Sequence, residues 1–417
     1  MRLQHALLAA TVLAAPACAN AGELFLLGLV PFSYANNCSN DGRVVAGYDP
    51  QSYWYWTRET GVVQLIGTTI PPGNGVGGQA CITADGSLMS VSTLQGDPQK
   101  AEGTIYDIQL TKFRSIGSLG FNCDIERSSI WGMTPDAQMA VGLVEKGFCE
   151  ATAFRWDATT NAISDLGTLY FFKPTRANAV SGNGGTICGW NDDYSGYRQA
   201  AVWVRNAAGA YVQTNISVPG AGAPLKMREA GAVSGNGQWV YGIGRASYNS
   251  GVAWRWSQAT GVQPIGVNSF GDVGYVVDAN YDGSRVLCFY GIMGSAGSAM
   301  WTTDRGYVPL SNLAAEAGVT IPDGWSLSLP LGMSEDGLTI VGTAFGPNGS
   351  SPFVLDLRSS GAPCPADLNG DHQVAAQDLA ALLSQWGAAG GNADLNGDGV
   401  VGPQDLSVLL GAWGPCP

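Results

Sequence analysis

The side chains best suited to chemistry stand near the end of the chain, in two twelve-residue stretches that place oxygen atoms at matching positions. In the first, Asp367, Asn369, Asp371 and Asp378 occupy positions 1, 3, 5 and 12; in the second, Asp394, Asn396, Asp398 and Asp405 do so. Calcium takes roughly six to eight hard oxygen ligands, and this spacing wraps a loop around one ion, with a backbone carbonyl at position 7, here Gln373 or Val400. Binding of two Ca2+ ions is therefore expected. From Pro363 onward every acidic residue is an Asp at position 1, 5 or 12 of a loop, and no Lys or Arg follows. Three carboxylates crowded into each loop repel one another without a cation, so calcium is expected to fold the segment. His372 stands at position 6, where glycine usually makes the sharp turn, and predicts weaker binding in the first loop.

Each loop runs into a short amphipathic stretch, and the pattern predicts helices over residues 378–386 and 405–413. Glycine and proline ahead of both loops exclude a helix leading in. This is half of an EF-hand used twice, and it closely resembles the dockerin family across residues 364–416. Dockerins bind cohesin modules, so the resemblance implies calcium-dependent docking to a cohesin-like or cell-surface protein. In that family positions 10 and 11 often carry partner-recognition residues such as Ser and Thr. The matching positions here are Ala376, Gln377, Pro403 and Gln404, a departure that leaves the partner unnamed. The near-identical halves suggest two pseudo-symmetric binding faces.

The elements that carry this tail begin with an apolar run, Ala6–Ala15, behind Met1-Arg2-Leu3-Gln4-His5. It is too short to span a bilayer and has the length of a signal-peptide core, with small residues that allow cleavage before Gly22. Export to an extracellular or cell-surface location is expected for residues after the 1–21 leader. No later stretch approaches the roughly 20 consecutive apolar residues of a transmembrane helix. The formal net charge of −13 argues against nucleic acid as a partner. Cys18 leaves with the leader and eight of the nine cysteines remain; an even number in an exported chain favours disulfides. Cys364 with Cys416, which bracket the tail, is the first expected pair, and Cys123 with Cys149 the second. Cys188 and Cys288 read as small buried residues within strands.

Charged residues make up only 13% of the chain and there are 59 glycines, a balance that suits an all-β protein rich in turns. One unit recurs through residues 22–358. It consists of an apolar strand, a turn, a second strand ending in Gly, a variable loop, an aromatic strand and a fourth strand. The turns are Asp41-Gly42, Asp85-Gly86, Asp136-Ala137, Asn183-Gly184, Asn236-Gly237, Asp282-Gly283 and Asp336-Gly337. Asn-Gly and Asp-Gly between apolar residues signal hairpins, here expected as type I′ turns. Aromatic strands such as Tyr53-Trp54-Tyr55-Trp56 and Ala253-Trp254-Arg255-Trp256 are expected to pack between neighbouring sheets. Four short strands per repeat of about 40–50 residues mark a β-propeller, and seven turns mark seven blades. The last unit lacks a fourth strand, which the stretch Glu23–Gly28 is expected to supply. The fold class is thus all-β, a seven-bladed β-propeller over residues 22–358, a linker at 359–362 and a small all-α calcium-binding domain at 363–417.

Phe154-Arg155-Trp156 with Asp165-Leu166-Gly167, and Gly324-Trp325 with the run from Met333 to Gly342, resemble the extracellular repeat family with His-Ala-Phe-type motifs. The family's histidine is absent from every repeat here. Apart from His5 in the leader, the only histidine is His372, so no Ser-His-Asp, Cys-His or histidine-ligated metal centre can lie in the propeller. The loops between second and third strands are expected to line a ligand face. Asp192, Asp193, Tyr194 and Tyr197 are its most polar and aromatic candidates, with a glycan as a possible ligand. Glu145 with Glu150 is another acidic pair in these loops. Two readings follow: a non-catalytic binding or display propeller on a docking tail, or a glycosidase working through a pair of carboxylates.

Overall fold

The computed structural model describes residues 22–28, 30–69, 78–96, 99–120, 127–216, 227–244, 253–265, 274–291, 297–358, 364–369 and 373–415. Two compact units divide the chain, the larger built on Gly22–Arg358 and the smaller on Gln373–Pro417. The larger unit is a seven-bladed β-propeller. Blades 1 and 3 to 6 are antiparallel sheets whose four strands follow chain order, and blade 2 shows three full strands, with its first position held by the bridge between Ile82 and Met89. Blade 7 takes three strands from residues 326–356 and its fourth from the other end of the chain. There the strand Glu23–Leu26 lies antiparallel to Gly349–Asp356, pairing Glu23 with Asp356 and Leu26 with Phe353. Closing the ring in this way leaves no long sheet edge open at the seam. A short helix, α1 (Leu310–Glu316), connects blades 6 and 7.

The hairpin turns differ from the type I′ expectation. A type I′ turn needs positive φ at both central residues, yet of Asp41 and Gly42 only Gly42 has it. A residue two places earlier sets the geometry. Ser39 donates its hydroxyl to Asp41 Oδ1 at 2.6 Å, accepts Val44 N–H at 3.0 Å, and takes Gly42 N–H on its carbonyl at 2.9 Å. The same device returns at Thr83, Thr134, Ser181, Ser234 and Ser334, with Asn280 as the seventh. Neighbouring turns are also tied together: Asn40 N–H donates to Ala84 O, Ala84 N–H to Pro135 O, Gly182 N–H to Gly235 O and Tyr281 N–H to Glu335 O. No such bond can run from Pro135 of blade 3 to blade 4, because proline has no N–H to give.

Trp54, Trp156, Trp203 and Trp254 are fully buried. They fill the spaces between blades, Trp156 with Phe154 against Ile105 and Ile116 of blade 2, and Trp54 against Val341 and Val354 of blade 7. Each such ring hides about 150–250 Å2, worth about 4–6 kcal/mol of gross burial. The second-strand glycine lets the chains approach at the same level, since a Cβ on Gly142 would strike the carbonyl of Ser129 and the ring of Phe154. Opposite it the ladder shifts register between Val141 and Gly142. Cys188 and Cys288 are free and fully buried in strands.

The smaller unit is built twice over. Helices α2 (Ala376–Ser384) and α3 (Pro403–Gly411) enclose a core of Ala366, Val374 and Leu382 from the first half and Ala393, Val401 and Leu409 from the second. Both helices start two residues before the expected positions, because Ala376 and Pro403 already fit a first turn. Gln373–Val374 pairs with Gly414–Pro415, and its counterpart Val400–Val401 bonds back to residues 387–389.

Candidate functional site

In the tail, the position-12 carboxylates lock each loop to its helix. Asp378 is fully buried, with Oδ1 accepting Leu368 N–H at 2.8 Å and Oδ2 accepting Ala375 N–H at 2.8 Å. Asp405 repeats this with Asn396 N–H at 3.0 Å and Gly402 N–H at 2.7 Å. These bonds, led by the one from Asn396, hold the Asp405 carboxyl below the usual range. In the second loop Asp394 Oδ2 accepts Gly399 N–H, while its Oδ1 is buried without a hydrogen-bond partner. Asp398 accepts from Asn396 and Val400.

Among the described residues no three His, Cys, Asp or Glu side chains converge closely enough to hold an ion by themselves. The donor set is mixed, however, and includes the Asn396 amide and the Val400 carbonyl. An orphaned Asp394 oxygen among neutral and acidic oxygen donors fits a hard cation. In the first loop Asp367, Asn369, Gln373 and Asp378 are described, whereas Asp371 and His372 lie outside the described residues. Cys364 is disulfide-bonded, as is Cys149; Cys416 and Cys123, their expected partners, lie outside the described residues, as do the 1–21 leader and the 359–362 linker. Ala376, Gln377, Pro403 and Gln404 are all exposed in the first turns of α2 and α3. Sequence reasoning missed a second matched set: Leu383 with Trp386 and Leu410 with Trp413 are 45–52% exposed at the helix ends. Their shared Leu-x-x-Trp spacing was the available signal.

On the propeller, the loop from Asp192 to Arg198 joins the second and third strands of blade 4, but its members divide. Asp193 is buried in its own turn, accepting Ser195 and Tyr197 N–H on Oδ1 and the Gln199 amide on Oδ2. That carboxylate is used up locally. Burial pushes the Asp192 carboxyl up against the pull of Arg198, 3.9 Å away. Tyr194 and Tyr197 are exposed. Tyr194 meets Tyr170 edge-on at 5.3 Å and accepts Phe171 N–H at 3.3 Å. The aromatic surface continues through Phe171 and Phe172 to Phe148. Phe148 is 91% exposed, and it and Phe172 hold positive φ of 65° and 55°, which non-glycine residues seldom adopt. Glu145 and Glu150 do not form a carboxylate pair. In the ladder Glu145 stands opposite Ala151 and Lys146 opposite Glu150, so the pleat sends the two acids to opposite faces.

Deeper in the propeller, Glu229 accepts from Arg176 and Arg198, each at 3.2 Å, and from Asn178 at 2.9 Å. Burial raises its carboxyl, but the two guanidiniums outweigh burial and hold it below the usual range. Arg176 lies over Trp131 at 3.6 Å and Arg198 over Trp190 at 3.9 Å.

The family model that matches this chain settles the nature of the tail. Residues 365–411 match the dockerin type I domain. Dockerin domains bind calcium and dock onto cohesins, and the twofold loop–helix unit above is the matched segment. No curated protein sequence matches the chain. Solved structures resemble the propeller at low identity. The oligogalacturonate lyase of Vibrio parahaemolyticus is 13% identical, covering 81% of this chain and 94% of that one, with a TM-score of 0.53. A puromycin hydrolase S511A mutant is 12% identical over 81% of this chain and 55% of that one, with a TM-score of 0.57. TolB from Acinetobacter baumannii is 17% identical over 54% of this chain, which spans 52% of its length, with a TM-score of 0.38. The first two likenesses show the fold alone. Among the described residues no helix is long and apolar enough to cross a membrane.

Proposed function

We propose that this chain is an exported, non-catalytic binding propeller attached to a cohesin-like or cell-surface protein by a dockerin tail that takes up two calcium ions. The observation that carries the tail assignment is the buried, unpartnered Asp394 Oδ1 in a loop already clamped by Asp405. In this reading Asp367, Asn369, Asp371, Gln373 and Asp378 hold one ion, and Asp394, Asn396, Asp398, Val400 and Asp405 the other. The exposed first-turn residues Ala376, Gln377, Pro403 and Gln404, with the Leu-x-x-Trp pairs at the far ends of the same helices, form the docking surface. The exposed rings around Tyr194 support a glycan or protein ligand for the propeller, since aromatic side chains left in water are otherwise costly. Kinship with the His-Ala-Phe-type repeat family belongs to the same proposal.

The test is calorimetry of the full chain with calcium, followed by capture on immobilised type I cohesin modules with and without chelator. Two bound ions and chelator-sensitive capture are expected. No heat at millimolar calcium would remove the docking assignment.

A further inference from the structure

The seven blades converge on a cavity of about 300 Å3. Its wall is divided by chemistry. Val276 and Leu331, from blades 6 and 7, are apolar, whereas Asn36, Asn37, Gln79, Arg176 and Glu229 from blades 1, 2, 4 and 5 and Asp278 from blade 6 are polar, with Trp131 on blade 3. The ionisable groups among them are already engaged, since Glu229 binds both Arg176 and Arg198 and Asp278 accepts the N–H groups of Ala279 and Met333. The amides are not matched. Asn36 is only 6% exposed and donates Nδ2 to Gln79 Oε1 at 2.6 Å, while its own Oδ1 is buried without a partner. Turning either amide over does not cure this. One hydrogen bond between two amides uses one donor and one acceptor, and leaves an oxygen and three N–H for some third group. Asn37 accepts Ile82 N–H at 3.1 Å, and no hydrogen bond from its NH2 is made among the described residues.

Unpaired buried amides are costly and ask for an explanation. A hydroxyl both donates and accepts, so neighbouring hydroxyls on one ring can satisfy an amide's two ends at once. Trp131, held on one side by Arg176, supplies a ring for an apolar C–H face. The volume sits at the lower limit of ligand pockets, which run from roughly 300 to 1,000 Å3. We propose that the axial cavity binds one neutral pyranose sugar unit, free or as the end of a chain, through Asn36, Asn37 and Gln79 with Trp131 beside it. This rests on the reading of the propeller as a binding module and places its ligand on the axis, away from the Tyr194 loop.

Full-length protein carrying fluorinated tryptophan gives a fluorine NMR signal for Trp131, assigned by its loss in Trp131→Phe. It is titrated with glucose, galactose, mannose, their short oligomers and galacturonate. The expected result is a saturable shift of the Trp131 signal by at least one neutral sugar, weakened about tenfold or more in Gln79→Ala at an unchanged melting midpoint. Should that variant fold poorly, Asn37→Ala is measured in its place. A response to monosaccharide supports a free ligand, and one to oligomer alone supports a chain end. A Trp131 signal silent to every neutral sugar, or moved by galacturonate alone, overturns the proposal. If the chain still binds glycans on an array while Trp131 stays silent, the binding reading stands and only the axial site falls.

Discussion

Asp278 should cost the propeller stability as the pH rises through the mildly acidic range. It lies on the inner strand Gly274–Ala279, where Oδ1 accepts Ala279 N–H at 2.8 Å and Oδ2 accepts Met333 N–H at 2.9 Å. Burial dominates and pushes the carboxyl up to about 6; the two N–H bonds oppose the rise and Glu335 adds to it. The other titratable groups facing it are the thiols of Cys38 and Cys81, themselves raised by burial. Because the folded-state value lies above that of the unfolded chain, the folded state holds the proton more tightly. The effect is therefore absent below about pH 4 and complete once the pH has passed the folded value. A shift of this size corresponds to about 2–3 kcal/mol, an upper bound because the axial cavity leaves the group some access to water. Urea unfolding of wild type and Asp278→Asn between about pH 4.5 and 7.5, at fixed calcium, measures it. The Asn NH2 meets one of the two N–H donors, a penalty of about 1–3 kcal/mol at every pH, so only the slope is diagnostic. Wild-type stability relative to the variant should fall by about 2 kcal/mol across the range. A flat difference would refute the reasoning.

Three further outcomes are expected. Ala137 occupies with φ of 52° the turn position that glycine holds in the other six blades. Left-handed backbone costs about 1–2 kcal/mol and the buried methyl returns about 0.8, so Ala137→Gly should raise stability by up to about 1 kcal/mol in thermal or urea unfolding. Leu24 and Leu26 pack on the blade 7 core from the closing strand; Leu26→Ala should cost about 1–3 kcal/mol, and loss of residues 22–28 should expose the edge at Gly349–Asp356 and promote aggregation seen by light scattering. Asp398→Ala should remove one of the two calcium-binding events in calorimetry and leave the other, whereas loss of both or of neither would contradict independent loops.

Features encoded within a few residues were legible in the sequence. The dockerin loops show because their Asp and Asn side chains follow one another within twelve residues of chain. The blade count shows because six hairpins carry their own Asp-Gly or Asn-Gly and the seventh carries Asp136-Ala137, and the closing strand shows because blade 7 stops one strand short. The turn type was misjudged because the dipeptide was read without the Ser or Thr two residues before it. That residue sets the geometry in six of the seven copies and is plain in the sequence. The aromatic patch was half seen, through Tyr194 and Tyr197, since Phe148, Phe171 and Phe172 come from two other loops.

The axial cavity was hidden for a different reason. It draws between one and four residues from each blade, so its groups are a whole repeat apart and no local spacing joins them. A signal was nevertheless present. Asn36, Asn37, Arg176, Asn178, Glu229 and Asp278 interrupt strands whose neighbours are apolar, each in the first strand of its blade. A polar side chain in a sheet core needs partners, and Asn36, Asn37, Asn178 and Asp278 each find one on the neighbouring blade. Laying the first strands side by side would have gathered these residues at one level of the ring. In a closed repeat array, the informative comparison is therefore between equivalent positions of successive repeats, because the axis is the one place where all of them meet.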